Sequence, residues 1–220
     1  MLIRLLCWCV QKLSASAALR VARAIGTIWY FLIPIRCGVA RQNIERTLVA
    51  QGHIQATDVP KLAHASCRQL AMYVVEMLRW EVIPFGRLEE QCREIKGLEH
   101  YEELIAQGKS PILVSIHQGA FEALFAILAQ RGWPQHTFYK AMSNKEIERY
   151  WLGLRQMHGL NQLPSKNARE AIEAVVERGE TLVFFCDQHL PSHQAIVCSF
   201  FGQLAATTPG PVKLAMRHGL

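Results

Sequence analysis

Apolar and polar positions follow two different rhythms along this chain, and the change between them falls near residue 110. Up to about residue 106 the spacing is helical. In PKLAHASCRQLAMYVVEMLRW (60–80), Leu62, Cys67, Leu70, Tyr73, Val74, Met77 and Leu78 recur at intervals that stack side chains on one helical face. This helix is expected to pack over the front of the domain that follows. Pro84 and Gly86 then break the pattern, and Gly97-Leu-Glu-His-Tyr-Glu-Glu-Leu starts a short helix that Gly108 ends.

From Pro111 onward, short continuous apolar runs alternate with amphipathic segments. PILVSI (111–116), HTFYKA (136–141) and TLVFFCD (181–187) have the length and composition of strands. Between them lie AFEALFAILAQ (120–130), stopped by Gly132, a helix near 145–158, and NAREAIEAVVERG (167–179). Strands that read as unbroken apolar runs are covered on both faces, so the class is α/β with a mainly parallel sheet flanked by helices. After AIVCSFFG (195–202), a last helix has Thr207 or Thr208 at its cap and Gly219 just past its end. The alternation calls for another strand there, and the C-terminal part of the fold is therefore expected to be missing.

Composition excludes a disordered chain, since half of the 220 residues are hydrophobic and only 19% are charged. The distribution of charge says more. Residues 1–50 hold seven Lys and Arg against the single acid Glu45, which accounts for the whole net charge of +6; residues 51–220 hold 17 basic and 17 acidic groups. A nucleic-acid-binding domain would spread its basic surplus over a folded face, so that class is set aside. Between its charges the first segment is apolar. Its longest uncharged run, Ala24 to Ile35, is 12 residues, short of the roughly 18–20 needed to cross a bilayer. Arg20 and Arg23 interrupt the core that a signal peptide requires. Interspersed arginines with Trp8, Trp29 and Tyr30 suit a helical segment lying in the membrane interface. An ordinary amphipathic core helix and a tilted single span beginning near Arg20 are the alternatives. The expected organisation is a membrane-associated segment over 1–50 and an α/β domain over 51–220. Seven cysteines without a CxxC pair read as reduced thiols on the cytoplasmic side.

The sharpest candidate chemistry is His117-Gln-Gly-Ala-Phe-Glu122, placed where an apolar strand ends and a helix begins. In open α/β sheets the ligand crevice lies beyond the carboxyl ends of the strands. With His117 in the loop and Glu122 in the first helical turns, the carboxylate can hold one ring nitrogen and leave the other as a base for a hydroxyl nucleophile. Asp187-Gln188 ends a second apolar strand and suits either substrate orientation or an Asx-turn. No metal site is expected: His189, His193, Cys198 and Asp187 match no ligand spacing. Motifs for nucleotide binding (GxGxxG, GxxxxGK) and for a serine nucleophile (GxSxG) are missing.

Taken in order, these pieces resemble the bacterial lysophospholipid acyltransferase family, of the lipid A biosynthesis (lauroyl/myristoyl) type. The resemblance runs over nearly the whole chain: Arg41-Gln-Asn-Ile, Gly97-Leu-Glu-His-Tyr, His117-x-Gly-x-aromatic-Glu122, Phe138-Tyr-Lys140 with Asn144, Arg155 and Gly159, Arg178-Gly-Glu, Asp187-Gln188, Phe200-Phe-Gly and Ala205-Ala-Thr-Thr-Pro-Gly. It implies transfer of a fatty acyl chain from a thioester, commonly on acyl carrier protein, to a hydroxyl of a lipid A precursor or related glycolipid. The implied setting is the cytoplasmic face of the bacterial inner membrane, with no cofactor beyond the thioester co-substrate. His117 would be the base and Glu122 its orienting group. Backbone N–H groups after Gly119 and the Arg155 guanidinium would meet the oxyanion. Lys140, Asn144, Arg155, Asp187 and Gln188 would contact substrate. Lys140 stands where the family commonly has arginine, which replaces a bidentate fork by a point charge. Two other readings share this fold: a non-catalytic lipid-binding or scaffold protein, and an acyltransferase for another lipid acceptor.

Overall fold

The computed structural model describes residues 2–33 and 35–220; of the N-terminal segment, Met1 and Pro34 lie outside the described residues. The chain divides into two compact units. One comprises residues 1–79 and 197–206, the other 80–196 and 207–220.

The first unit is helical: α1 (Leu2–Gln11), α2 (Ala15–Leu32), α3 (Cys37–Ile44) with a π-helical continuation (Glu45–Val49), and α4 (Val59–Arg79). Ser14 caps α2 by accepting from the Ala17 N–H. α2 buries Ala18, Ala22, Gly26 and Tyr30, one residue per turn, and packs along α4. The two backbones touch there. A Cβ added at Gly26 would stand 2.5 Å from the Arg68 Cα, so only glycine allows this approach. Arg79 at the end of α4 donates to the carbonyls of Val10 (2.8 Å) and Leu13 (2.5 Å), closing the open end of α1. The 60–80 segment thus forms the helix its spacing predicts, with α1, α2 and α3 as neighbours within its own unit. A stripe of α2 flanking the buried one leaves Val21, Ile25, Ile28 and Leu32 exposed. Among the described residues no single helix is long and apolar enough to cross a membrane; α2 and Cys37–Val49 qualify only as a pair, bent by 89°. This unit also carries residues 197–206 of the hairpin formed by β5 (Ile196–Phe200) and β6 (Gln203–Thr207), turned by Phe201 and Gly202, both at positive φ.

The second unit is α/β. Its sheet is wholly parallel, in the order β1 (Ile112–Ser115), β4 (Thr181–Phe185), β2 (Gln135–Tyr139), β3 (Leu160–Pro164). The flanking helices are α5 (Leu98–Ala106), α6 (Phe121–Gln130), α7 (Lys145–Met157), α8 (Arg169–Glu177) and α9 (Gly210–His218). The central strand β4 buries Leu182 and Val183 completely, and Val175 of α8 and Leu214 of α9 pack on Leu182. Three strands and all the helices fall within a few residues of the spans that periodicity predicts. β3 was not expected. Its sequence, LNQLP, carries two adjacent polar residues, Asn161 and Gln162, and ends in proline, which an edge strand tolerates, and β3 is an edge strand. Where the last helix begins, the Thr208 hydroxyl accepts from the Gly210 N–H, and Gly219 ends it at φ +66.

Candidate active site

Parallel strands align their carboxyl ends, and the register between β1 and β4 decides which residues meet beyond them. Ser115 lies opposite Phe185, and the ladder extends one step further as the Cys186 N–H donates to the Ser115 carbonyl. Two residues past that pair stand His117 and Asp187. They meet. One carboxylate oxygen of Asp187 accepts from the His117 backbone N–H at 2.8 Å, and the other lies 2.8 Å from Nδ1 of the ring.

An ionised carboxylate only accepts, so this geometry assigns the imidazole proton to Nδ1 and leaves the lone pair on Nε2. The ring is fixed by packing as well. It lies against Phe185 at a centroid distance of 4.4 Å and against Phe121 at 5.0 Å, while the two phenylalanines meet edge-to-face at 5.1 Å. The His117 side chain is still 36% exposed, enough to be reached from solvent. Gln188 extends its amide Nε2 to 3.4 Å from His117 Nε2, placing a donor beside the reactive nitrogen.

The sequence paired His117 with Glu122, and here the structure differs. The ring's hydrogen bonds go to Asp187 and Gln188, while Glu122 forms a bidentate pair with Arg155 of α7 (Nε to Oε2 2.9 Å, NH2 to Oε1 2.5 Å). The reason lies in the loop. Gly119 turns the chain through φ +60 before α6 begins at Phe121, so Glu122 sits in the first helical turn with its side chain only 4% exposed. A carboxylate there is favoured by the positive end of the helix and needs a cation when buried. Arg155 supplies it. Arg155 is held in turn by Gln162 of β3 (NH1 to Oε1, 3.2 Å), whose amide donates to Thr137 of β2 at 2.6 Å. Thr137 and Gln162 are register partners, a relation invisible before β3 is known.

The remaining expected residues fall nearby with different partners. Asn144 caps α7, its Oδ1 accepting from the N–H groups of Glu146 (3.0 Å) and Ile147 (3.1 Å). Lys140 is exposed just past β2 and makes no ion pair among the described residues. Sequence reasoning missed the aromatic clamp of Phe121 and Phe185 and the bracing by Thr137 and Gln162. An aromatic immediately before Glu122 and another two residues before Asp187 were the available signals.

A carboxylate-held imidazole whose second nitrogen faces the Gln188 amide at 3.4 Å, at the carboxyl edge of a parallel sheet, has an arrangement with which a general base can act on a hydroxyl or similar nucleophile. Comparison with known proteins names the group. The model of the bacterial lipid A biosynthesis acyltransferase family matches residues 1–220, and the chain belongs to that family. It is 32% identical over 122 residues to a lipid A biosynthesis acyltransferase of Haemophilus influenzae, covering 56% of this chain and 38% of the relative. It is 26% identical over 183 residues to phosphatidylinositol mannoside acyltransferases of Mycolicibacterium smegmatis and Mycobacterium tuberculosis, covering 81% of this chain and 60% and 57% of theirs. The chain thus spans between about two fifths and three fifths of the length of these curated relatives.

Proposed function

We propose that this chain carries the catalytic base of an acyltransferase that moves a fatty acyl group from a thioester, with acyl carrier protein as donor, to a hydroxyl of a lipid A precursor or related glycolipid. The observation that carries the reading is the double hold of Asp187 on His117, with Nε2 turned away from the carboxylate toward the long 3.4 Å contact of Gln188. As the acceptor oxygen attacks the thioester carbonyl, Nε2 takes its proton and Asp187 stabilises the resulting imidazolium. The tetrahedral intermediate then expels the thiolate, which recovers that proton from Nε2. No further reactant is required.

The oxyanion is met by N–H groups at the start of α6 and by the Gln188 amide, swung from its place beside Nε2. Arg155, first expected there, is occupied by Glu122 and braces the α6 start. Lys140 is free to meet an acceptor or donor phosphate. The first unit attaches the enzyme to the cytoplasmic face of the inner membrane: the exposed stripe Val21, Ile25, Ile28 and Leu32 enters the lipid while Arg20 and Arg36 meet anionic headgroups.

A second acceptor class is supported by the matches to phosphatidylinositol mannoside acyltransferases, which cover more of this chain than the lipid A match does. The experiment that tests both uses acyl carrier protein loaded with a labelled acyl chain and a panel holding a lipid A precursor and a phosphatidylinositol mannoside. Label in one acceptor, lost in His117→Ala, supports the reading and identifies the class. Equal label from wild type and His117→Ala would end it.

A further inference from the structure

We infer that the β5–β6 hairpin is a lipid-inserting element, whose turn and adjoining residues Phe200, Phe201 and Leu204 enter the headgroup region of an anionic bilayer. The inference rests on the membrane attachment proposed above for the same unit and adds a second point of contact to it.

Every residue of β5 is exposed. Val197 is 66% and Leu204 82% exposed, and the rings of Phe200 and Phe201 are each about half exposed, packed edge-to-face on one another at 4.8 Å. A two-stranded hairpin has no second layer in which to bury such groups, and large apolar side chains left exposed on both of its faces and at its turn mark a docking face.

Charge selects the occupant. No Asp, Glu, Lys or Arg occurs from Gln188 to Val212, so the hairpin crosses into lipid without desolvating an ion. The unit that carries it holds ten Lys and Arg against three Asp and Glu, a surplus of seven; the α/β unit holds fourteen against fifteen. An uncharged apolar projection on a strongly basic body fits an anionic lipid surface. A protein partner would need polar side chains to register against, and β5 with its turn and Leu204 offers only Cys198, Ser199 and Gln203. The hairpin is tied to that body through the Gln51 side-chain amide, which donates to the Phe201 carbonyl.

The turn supplies an independent argument. Phe201 sits at φ +48 and Gly202 at φ +67, the two left-handed positions of a type I′ turn, where Asn-Gly is the favoured pair. A bulky aromatic there is an outlier that local folding disfavours. Its ring is not used to fill a core. An insertion residue at the tip accounts for both its identity and its exposure.

The test exploits that preference. Phe201→Asn improves the turn while removing the aromatic, so the double variant Phe201→Asn/Leu204→Gln keeps the hairpin and loses its apolar tip. Binding of the whole protein to vesicles of phosphatidylethanolamine and phosphatidylglycerol (roughly 3:1) is measured by co-sedimentation, with circular dichroism, thermal melting and acyl transfer to a detergent-dispersed acceptor measured alongside. The inference predicts vesicle binding about tenfold weaker or more, as expected for withdrawing two large apolar side chains from lipid, with fold and dispersed-acceptor transfer unchanged. Unchanged vesicle binding overturns it, as does a wild-type protein that does not bind vesicles, or a variant whose sole change is loss of self-association without lipid. Vesicle binding that depends on the hairpin in a protein that transfers no acyl group leaves the inference standing and removes the catalytic reading instead.

Discussion

Asp187 grips His117 at two points, one carboxylate oxygen on the backbone N–H and the other on the ring Nδ1, both at 2.8 Å. The double contact fixes the tautomer and the position of the imidazole together, because the oxygen on the backbone N–H anchors the carboxylate where its other oxygen meets the ring. Neighbouring parallel strands bring the two residues side by side although they are 70 positions apart in the chain.

Glu122 and Arg155 have a different task, and a double-mutant cycle measures it. Breaking a buried ion pair from one side leaves the other charge without compensation and costs about 3–5 kcal/mol. Arg155 is partly accessible, with a side chain 17% exposed, so the lower end of that range is expected for Glu122→Gln and for Arg155→Met. The double variant should lose less than the sum of the two. Denaturant unfolding checks this, and strict additivity would show that the pair is not coupled.

Gly26 marks the closest approach of α2 and α4. With a Cβ meeting the Arg68 Cα at 2.5 Å and the Cys67 carbonyl at 2.9 Å, neither of which is a movable side-chain end, Gly26→Ala forces the helices apart. A destabilisation of about 1–3 kcal/mol is expected. Gly38→Ala, with open space around its Cβ and a helical backbone, is the matched control and should be neutral or stabilising.

The amino end of the sheet carries an acid-sensitive cluster. His136 donates from Nε2 to Glu180 (2.8 Å), leaving Nδ1 buried with no partner among the described residues. Burial holds the His136 pKa below its ordinary 6.5, outweighing the pull of Glu180. Hydrogen bonding from Arg178, opposed by burial and aided by His136, holds Glu180 below 4.5. An imidazole with a depressed folded pKa gains its proton more readily on unfolding, so stability declines as pH falls below 6.5, by no more than about 1.4 kcal/mol per unit for one proton. The Glu180 contribution is present above 4.5 and is lost at lower pH, through its folded pKa. His136→Asn should therefore flatten the stability profile just below pH 6.5 and leave the lower limb. A profile unchanged by that substitution would contradict the assignment.

What the sequence disclosed and what it hid follow from how local each signal is. The apolar runs at 111–116 and 181–187 and the polar residues ending them were legible, and so were His117 and Asp187 as separate candidates. Their pairing was not, since it depends on β4 entering the sheet beside β1. The local spacing from His117 to Glu122 offered a nearer carboxylate, and only the turn at Gly119 and the distant Arg155 draw Glu122 away. β3 escaped because an edge strand need not be apolar throughout. Asn144 looked like a contact for substrate and is engaged as a helix cap, a use that requires knowing where α7 begins.

The central claim is that Asp187, rather than Glu122, is the carboxylate that makes His117 a base, and the most direct test compares acyl-transfer rates of Asp187→Asn and Glu122→Gln. Both are assayed at saturating acceptor, where each protein is shown to be folded. The account predicts that Asp187→Asn lowers kcat by about 10³–10⁴-fold with KM little altered, while Glu122→Gln retains activity within about tenfold once its lower stability is allowed for. An Asp187→Asn enzyme that keeps its rate, beside a stable Glu122→Gln enzyme that has lost it, would contradict the account and return the orienting role to Glu122.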